Sequence, residues 1–399
     1  MATRVLIAGG GVAGLEAALA LQAHAADLVD VELVAPEPRF WYRPVAVAEP
    51  FGLGDVRHFD LPELARAAGA THTPGALVGV HAQRHLADLS TETAVEYDVL
   101  LIACGAVPFE AVPGALMFRG PADSEKLADV LAELRAGRAR RVVFAVPSGA
   151  TWSLPIVELA LMTAAHAADH ELSGVEVTLV TPEAEPLQLF GAEAAASVGR
   201  LLDRHGVAVH AGASPLEVVD GELRLDPGGS IAADQVVALP RLRGPRIDGV
   251  PQTADGFIPV DAHGRVQGIP DVFAAGDVTS FPVKQGGIAT QQADAAADFI
   301  AADAGAPVLR LPFRPVLRGL LLTGRQPRFL QHEIDLRVDA TSVATPQPLW
   351  WPPAKVVGRH LAPFLAGLAG ASIDAPPDDD AIAVEVELDD SGPGIGLGF

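Results

Sequence analysis

The sequence has little cysteine, few basic residues and no long hydrophobic run. Its one cysteine among 399 residues, Cys104, excludes an internal disulfide and any zinc or iron–sulfur site built from cysteines. Only 28 Lys and Arg face 50 Asp and Glu, which argues against a nucleic-acid partner because phosphate binding needs a positive surface. No segment reaches the roughly 18 apolar residues of a membrane-spanning helix, and the first residues lack a signal-peptide layout. We therefore expect a cytoplasmic protein.

Length and composition indicate more than one domain around a large core. At roughly 100–200 residues per domain, the chain makes two or three domains, and 49% hydrophobic with 20% charged residues is typical of a globular protein. Of the twelve histidines, His81 and His85, and His166 and His170, are spaced four residues apart, and these four are interpreted as surface residues. No metal site is therefore predicted.

The first 37 residues read as strand, glycine turn, helix and second strand. The apolar run at 4–8 precedes a GxGxxG motif formed by Gly9, Gly11 and Gly14. In such a motif the first glycine permits the tight turn, the second admits a pyrophosphate, and the third lets helix and strand pack closely. Glu37 lies two positions beyond the second strand and is the predicted ribose ligand. This unit predicts dinucleotide binding, with the pyrophosphate at the helix N-terminus.

A second copy of the unit follows at residues 141–183, where VTLVTPE at 177–183 parallels VELVAPE at 31–37. Such duplication predicts two stacked Rossmann-like domains. Its glycine loop is eroded: only Gly149 remains, prolines remove N–H donors, and Trp152 adds bulk where a pyrophosphate would approach. Two interpretations stay open, a domain without a ligand and weak or altered NAD(P)H binding.

Proline-rich joints at 108–113 and 240–251 bracket the second unit, so it is expected to be inserted in the first. The predicted fold is α/β, with two Rossmann-like dinucleotide-binding domains and a C-terminal α+β cap. The predicted segments are 1–112 and 245–310 for the first domain, 113–244 for the inserted domain, 311–373 for the cap and 374–399 for an acidic tail.

Four segments carry a family resemblance: GGGVAG at 9–14, EPRFWYRP at 37–44, YDVLLIACGAVP at 97–108 and DVFAAGDVTSFPVKQGGIATQQADAAA at 271–297. With these segments the chain, from residue 4 to about 330, resembles the pyridine nucleotide–disulfide oxidoreductase clan of flavoproteins. Within that clan it is most similar to the branch of type II NADH dehydrogenases and sulfide:quinone oxidoreductases.

The resemblance implies FAD in the first domain. It implies that Asp277 holds a ribityl hydroxyl, that the helix after Lys284 and Gln285 points at the flavin pyrimidine ring, and that the backbone near Leu77 reads the adenine. A helix N-terminus there would stabilise the negative charge of reduced flavin. The cofactor-binding residues predicted in this way are Gly9, Gly11, Val12, Ala13, Gly14, Glu37, Arg43, Leu77, Ala103, Cys104, Gly105, Gly276, Asp277, Lys284 and Gln285.

Glu158 and Lys284 are the predicted catalytic residues. Glu158 matches the family's glutamate near the flavin face and is expected to handle protons; the alternative is a charge at a helix N-terminus without chemistry. Cys104 is expected to be a small buried residue rather than a reactive thiol. Relatives that oxidise sulfide or reduce disulfides use a cysteine pair, so both activities are rejected here.

The resulting hypothesis is an FAD-dependent oxidoreductase that takes electrons from a small molecule or NAD(P)H and passes them to a quinone-like acceptor. The alternative is an FAD-binding scaffold or cargo protein with little turnover. Residues 349–371 are interpreted either as an anchor on the inner face of the membrane or as a flavin cover or homodimer contact. The apolar end at 391–399 faintly resembles peptides that dock inside encapsulin shells, and a disordered or self-docked end is the plainer interpretation.

Overall fold

The computed structural model describes residues 2–334 and 342–370. Over these residues the strands, in chain order, are β1 (Thr3–Ala8), β2 (Val29–Ala35), β3 (Arg39–Trp41), β4 (His58–Asp60), β5 (Ala70–Pro74), β6 (Leu77–His81), β7 (Leu86–Leu89), β8 (Ala94–Glu96), β9 (Val99–Ile102), β10 (Val107–Phe109), β11 (Leu116–Met117), β12 (Arg141–Ala145), β13 (Glu176–Thr181), β14 (Val207–Ala211), β15 (Ser214–Val219), β16 (Glu222–Asp226), β17 (Ser230–Ala232), β18 (Gln235–Ala238), β19 (Arg241–Arg243), β20 (Val272–Ala274), β21 (Val316–Leu321), β22 (Arg328–Glu333) and β23 (Ser342–Thr345). The α-helices are α1 (Val12–Ala25), α2 (Leu61–Ala67), α3 (Ser124–Arg135), α4 (Leu154–Asp169), α5 (Ala192–Arg204), α6 (Gly286–Asp303) and α7 (Leu361–Leu368).

The first parallel sheet has the strand order β20-β9-β1-β2-β5. Its central strands β1 and β9 are buried on both faces, as is typical of parallel sheets. Along β1, Val5 and Ile7 belong to the core that includes α1 and α6, whereas Leu6 and Ala8 face the antiparallel sheet β6-β7-β8. Four of its strands precede the second domain in the chain, and β20 follows that domain.

The second parallel sheet has the order β11-β18-β12-β13-β14. In β12, Val142 and Phe144 pack in the core shared with α4, whereas Val143 and Ala145 pack under the antiparallel sheet β15-β16-β17. The chain passes between the two parallel sheets twice, once through β10 and once through β19, and these two strands pair with each other. The boundaries proposed after residues 112 and 244 fall just beyond these two strands.

The cap is a three-stranded antiparallel sheet, β21-β22-β23, followed by α7. Helix α6 lies along the free edge of β21, where the Gln291 amide both donates to the Val316 carbonyl (2.9 Å) and accepts from the Val316 amide (2.9 Å). The predicted α/β fold, with two Rossmann-like domains and an α+β cap, is confirmed. No helix in residues 2–334 and 342–370 is long and apolar enough to cross a bilayer.

Candidate functional site

The glycine turn after β1 leaves no room for a side chain at Gly9 or Gly14. A Cβ on Gly9, whose φ is +130°, would lie 2.2 Å from the Ala103 carbonyl oxygen, and one on Gly14 would lie 1.9 Å from the Gly9 carbonyl oxygen. Gly11 is the N-cap of α1 and faces open space. Val12 and Ala13 form the first turn of α1. This shape leaves a bare helix N-terminus, where a pyrophosphate can approach the backbone.

Three predicted ligands flank this turn. Glu37 is exposed two residues beyond β2, and Arg43 is exposed at the start of the 3₁₀ turn Arg43–Val45. Leu77 is the buried first residue of β6. All three follow or adjoin the first sheet, but their contacts with a cofactor stay predictions.

Residues Ala103 to Gly105 continue from the end of β9. Ala103 is buried, and Gly105 adopts a φ of +72°. The prediction that Cys104 is buried is wrong for the residue as a whole, which is exposed in the turn beyond the strand, although its sulfur atom is turned toward Ala8 and desolvated. Its Sγ lies 3.2 Å from the Ala8 carbonyl oxygen, and desolvation by the surrounding protein raises the pKa of the thiol to about 12. The thiol is thus protonated at neutral pH, unlike a reactive cysteine.

The Gly276-Asp277 turn lies beside the glycine turn that follows β1. Gly276 has a φ of +81°, and a Cβ there would lie 3.1 Å from the Ala13 Cβ, so the turn packs against the start of α1. Asp277 is half-buried. Burial raises the pKa of its carboxyl, while the charges of Lys284 and Arg43 oppose that shift. The carboxylate therefore lies near two cations.

Lys284 and Gln285 lead into α6. Lys284 is buried, its Nζ lies 3.9 Å from the centroid of the Phe257 ring, and it donates to the Thr279 carbonyl. Burial lowers the pKa of its ammonium to about 8. Gln285 caps α6 by accepting from the Ile288 amide (2.9 Å) and donates to the Arg318 carbonyl (3.1 Å).

These turns all follow the carboxyl ends of β1, β9 and β20, which are neighbours in the first sheet. In open α/β sheets, ligands bind outside this edge. The bare N-terminus of α1 suits a pyrophosphate, and the Gly276-Asp277 turn packed against it supplies a carboxylate for a hydroxyl. The residues present therefore fit FAD.

The other predicted catalytic residue, Glu158, lies on α4 and is fully buried. Its carboxylate accepts from Lys355 Nζ at 2.7 Å to each oxygen and from the Leu322 amide at 2.8 Å. Burial raises the pKa of Glu158 to about 7 and lowers the pKa of Lys355. The second domain and the segment after the cap sheet are thus joined by a desolvated ion pair.

A strap formed by residues 354–361 crosses the starts of α6 and α1. The Val356 amide donates to Tyr42 Oη (2.9 Å), and the Thr290 hydroxyl donates to the Val357 carbonyl (2.8 Å). A Cβ on Gly286 would lie 2.7 Å from Val356, so the strap covers the α6 N-terminus. The strap ends on buried Glu16, which accepts from the two amides at the start of α7.

Residues 3–297 match the pyridine nucleotide-disulphide oxidoreductase family. The chain belongs to this family. An NADH dehydrogenase-like protein of Mycobacterium tuberculosis is 29% identical over 297 residues, covering 70% of this chain and 73% of the relative.

Solved structures share the fold. The sulfide:quinone oxidoreductase of Aquifex aeolicus superposes with a TM-score of 0.77 at 19% identity, covering 86% of this chain and 87% of the other. NDH2 of Plasmodium falciparum, solved with NADH, gives a TM-score of 0.66 at 13% identity, covering 92% and 94%. The predicted clan, the FAD cofactor and an oxidoreductase activity are therefore confirmed at the level of the family.

Sequence reasoning missed two contacts of the site. Lys355, the partner of Glu158, lies 197 positions away in an irregular segment, and its only signal was a basic residue in an apolar stretch. Tyr42 lies in the FWYRP segment, where it is buried and holds the strap, while its neighbour Trp41 is 38% exposed. No group of three or more potential metal ligands is found among residues 2–334 and 342–370.

Proposed function

We propose that this protein is an oxidoreductase in which FAD, held at the carboxyl edge of the first sheet, passes electrons to a quinone-like acceptor. The observation that carries the proposal is the buried Glu158–Lys355 pair, whose lysine belongs to the strap that covers the start of α6. The pair supports the proposal because it is a protonatable group on the side of the molecule where the resemblance implies the flavin ring.

In this proposal the first domain binds the cofactor. Gly9, Gly11 and Gly14 shape the pyrophosphate site, Asp277 holds a ribityl hydroxyl, and the N-terminus of α6 faces the pyrimidine ring. FAD supplies two-electron chemistry when bound. Lys284 adds a buried positive charge near Asp277, which favours negative charge on the cofactor.

Reduction of a quinone to a quinol takes two electrons and two protons. Glu158, with a pKa near 7, holds a proton in part of the molecules at neutral pH. The surrounding cap is apolar: Leu320 and Phe329 are buried, and the Trp350 ring lies 5.0 Å from that of Phe329. An apolar, aromatic surround suits a quinone ring.

The packing of residues 349–370 supports a cover over the site rather than a membrane anchor. Trp350 is half-buried and donates to the Ala354 carbonyl at 3.0 Å, and Leu361 and Leu365 are buried. Leu368 is 53% exposed, so in this proposal its side chain is available for a contact with a membrane or with a second copy of the chain. A cytoplasmic location belongs to the same proposal. The acidic tail and the encapsulin-like end peptide lie outside the described residues.

The test measures electron transfer without a natural donor. Protein reconstituted with FAD is photoreduced under argon and mixed with a soluble short-chain quinone, and flavin absorbance is followed in a stopped-flow instrument. Saturable reoxidation is expected, slower in Glu158→Gln and unchanged in the exposed control Glu133→Gln. A protein that takes up no FAD, or a reduced flavin that the quinone does not oxidise, would overturn the proposal and favour the scaffold alternative.

A further inference from the structure

The two Rossmann-like domains differ at the place where a dinucleotide would lie. In the first domain only residues 9–11 separate β1 from α1, and the helix starts with bare glycine backbone. In the second domain residues 146–153 separate β12 from α4, and Pro155 removes a donor from the first turn of α4. The second helix therefore offers a pyrophosphate fewer free N–H groups.

The acid two residues beyond the end of β13, Glu183, already has hydrogen-bond partners within the chain. In dinucleotide-binding domains a carboxylate at this position binds the ribose hydroxyls. Here the Glu183 carboxylate accepts from the Ser153 hydroxyl (3.1 and 3.3 Å), the Thr181 hydroxyl (3.2 Å) and the Leu187 amide (3.2 Å). Since Ser153 is the N-cap residue of α4, these contacts bring the chain's own carboxylate to the helix N-terminus.

Trp152, the residue before Ser153, packs partly buried against the core. Its ring lies 5.6 Å from the ring of fully buried Phe190. Gly319 of the cap packs against the same group, because a Cβ there would lie 2.7 Å from both Phe190 and Leu154. The aromatic pair is thus fixed between the second domain and the cap.

We infer that Glu183 and Trp152 occupy the place of a dinucleotide, so that the second domain does not bind NAD(P)H although the family does. A helix N-terminus stabilises one anionic group, and that position is taken by Glu183. A pyrophosphate there would face a carboxylate of like charge in a half-buried setting, which is unfavourable. NAD(P)H therefore does not fit this site.

The inference rests on the proposed function in one respect, that the flavin needs a donor. It restricts that donor to small molecules that reach the flavin without dinucleotide binding. The second domain then has a structural role, because it supports the cap through Glu158, Phe190 and Leu154.

The test measures binding in the FAD-loaded protein. NADH and NADPH are titrated by isothermal calorimetry, and their fluorescence is followed by energy transfer from tryptophan. No saturable binding is expected across about 1 μM–1 mM, the usual range for enzyme substrates. Bound FAD in the same sample shows that the first domain is intact. The two proposals can therefore fail separately: NAD(P)H can bind to a protein whose flavin the quinone reoxidises, and NAD(P)H can fail to bind to a protein whose flavin the quinone does not reoxidise.

Saturable binding of either dinucleotide, or bleaching of the flavin on anaerobic mixing, would overturn the inference. Glu183→Gln and the exposed neighbour Glu185→Gln form a matched pair. Neither variant is expected to give saturable binding, because Trp152 and Pro155 remain in both, and Glu183→Gln is expected to lower the free energy of unfolding. If the wild-type protein binds NADH and Glu183→Gln weakens that binding tenfold, Glu183 is a ribose ligand and the inference is wrong.

Discussion

Replacing Lys355 by methionine removes the cation from a fully buried carboxylate while keeping most of the side-chain volume. The Lys355 side chain is 7% exposed and that of Glu158 is 0% exposed. Breaking a buried pair in this way costs about 3–5 kcal/mol, because the remaining charge is left without compensation. We expect Lys355→Met to lower the free energy of unfolding by about 3 kcal/mol at pH 8.

The cost should depend on pH, because Glu158 can escape by taking up a proton. Its pKa is already about 7 with Lys355 present, and loss of the cation raises that pKa further. At pH 5.5 the carboxyl is neutral and needs no partner, so the defect should shrink to about 1 kcal/mol, the cost of a lost hydrogen bond.

Urea unfolding followed by circular dichroism, at pH 5.5 and pH 8, measures both values. The double variant Glu158→Gln/Lys355→Met should recover most of the loss at pH 8, since it leaves no buried charge. The exposed pair Arg138–Glu133, with side chains 63% and 37% exposed, is the control, and Arg138→Met should cost at most about 1 kcal/mol. A Lys355→Met defect below about 1 kcal/mol at pH 8, or one equal at both pH values, would show that the pair is not desolvated as described.

Three further perturbations test other parts of the structure. Gly14→Ala should abolish FAD uptake, measured by flavin absorbance after reconstitution, because its Cβ would lie 1.9 Å from the Gly9 carbonyl oxygen; normal uptake would show that the turn is not tight. Cys104→Ser should leave the flavin reduction potential and the reoxidation rate unchanged. A tenfold loss of the reoxidation rate would show that the thiol takes part in the reaction. Asp294, beside Glu16, has a pKa raised to about 8 by burial and by that neighbour. The folded protein therefore holds a proton that the unfolded chain releases, so the free energy of unfolding should fall from about pH 4 to pH 8, and Asp294→Asn should flatten this slope in urea titrations.

Local sequence patterns were enough to predict the first Rossmann unit. The apolar run before Gly9 and the glycine spacing define a strand and a helix start, and the structure places β1 and α1 there. The helix expected after Lys284 and Gln285 is α6, Gly286–Asp303. Both signals are local, because backbone sterics and the helix period act over a few residues.

Contacts between distant residues could not be predicted in this way. Lys355 and Glu158, or the α7 amides and Glu16, meet only after the cap and both domains have packed. Burial then changes the chemistry of residues that look ordinary in sequence, as for Glu158. For Cys104 the prediction was wrong in the opposite sense. The apolar strand before it predicts burial, but the residue lies two positions beyond the end of β9, in the turn, where it is exposed.

Anaerobic reoxidation of the photoreduced flavin by a soluble quinone, with flavin absorbance followed over a range of quinone concentrations, tests the proposed function at its centre. We expect the rate to saturate with quinone and to fall in Glu158→Gln, with FAD still bound. A rate no faster than that of free reduced FAD, with no saturation and no effect of Glu158→Gln, would overturn the assignment of a quinone-like acceptor.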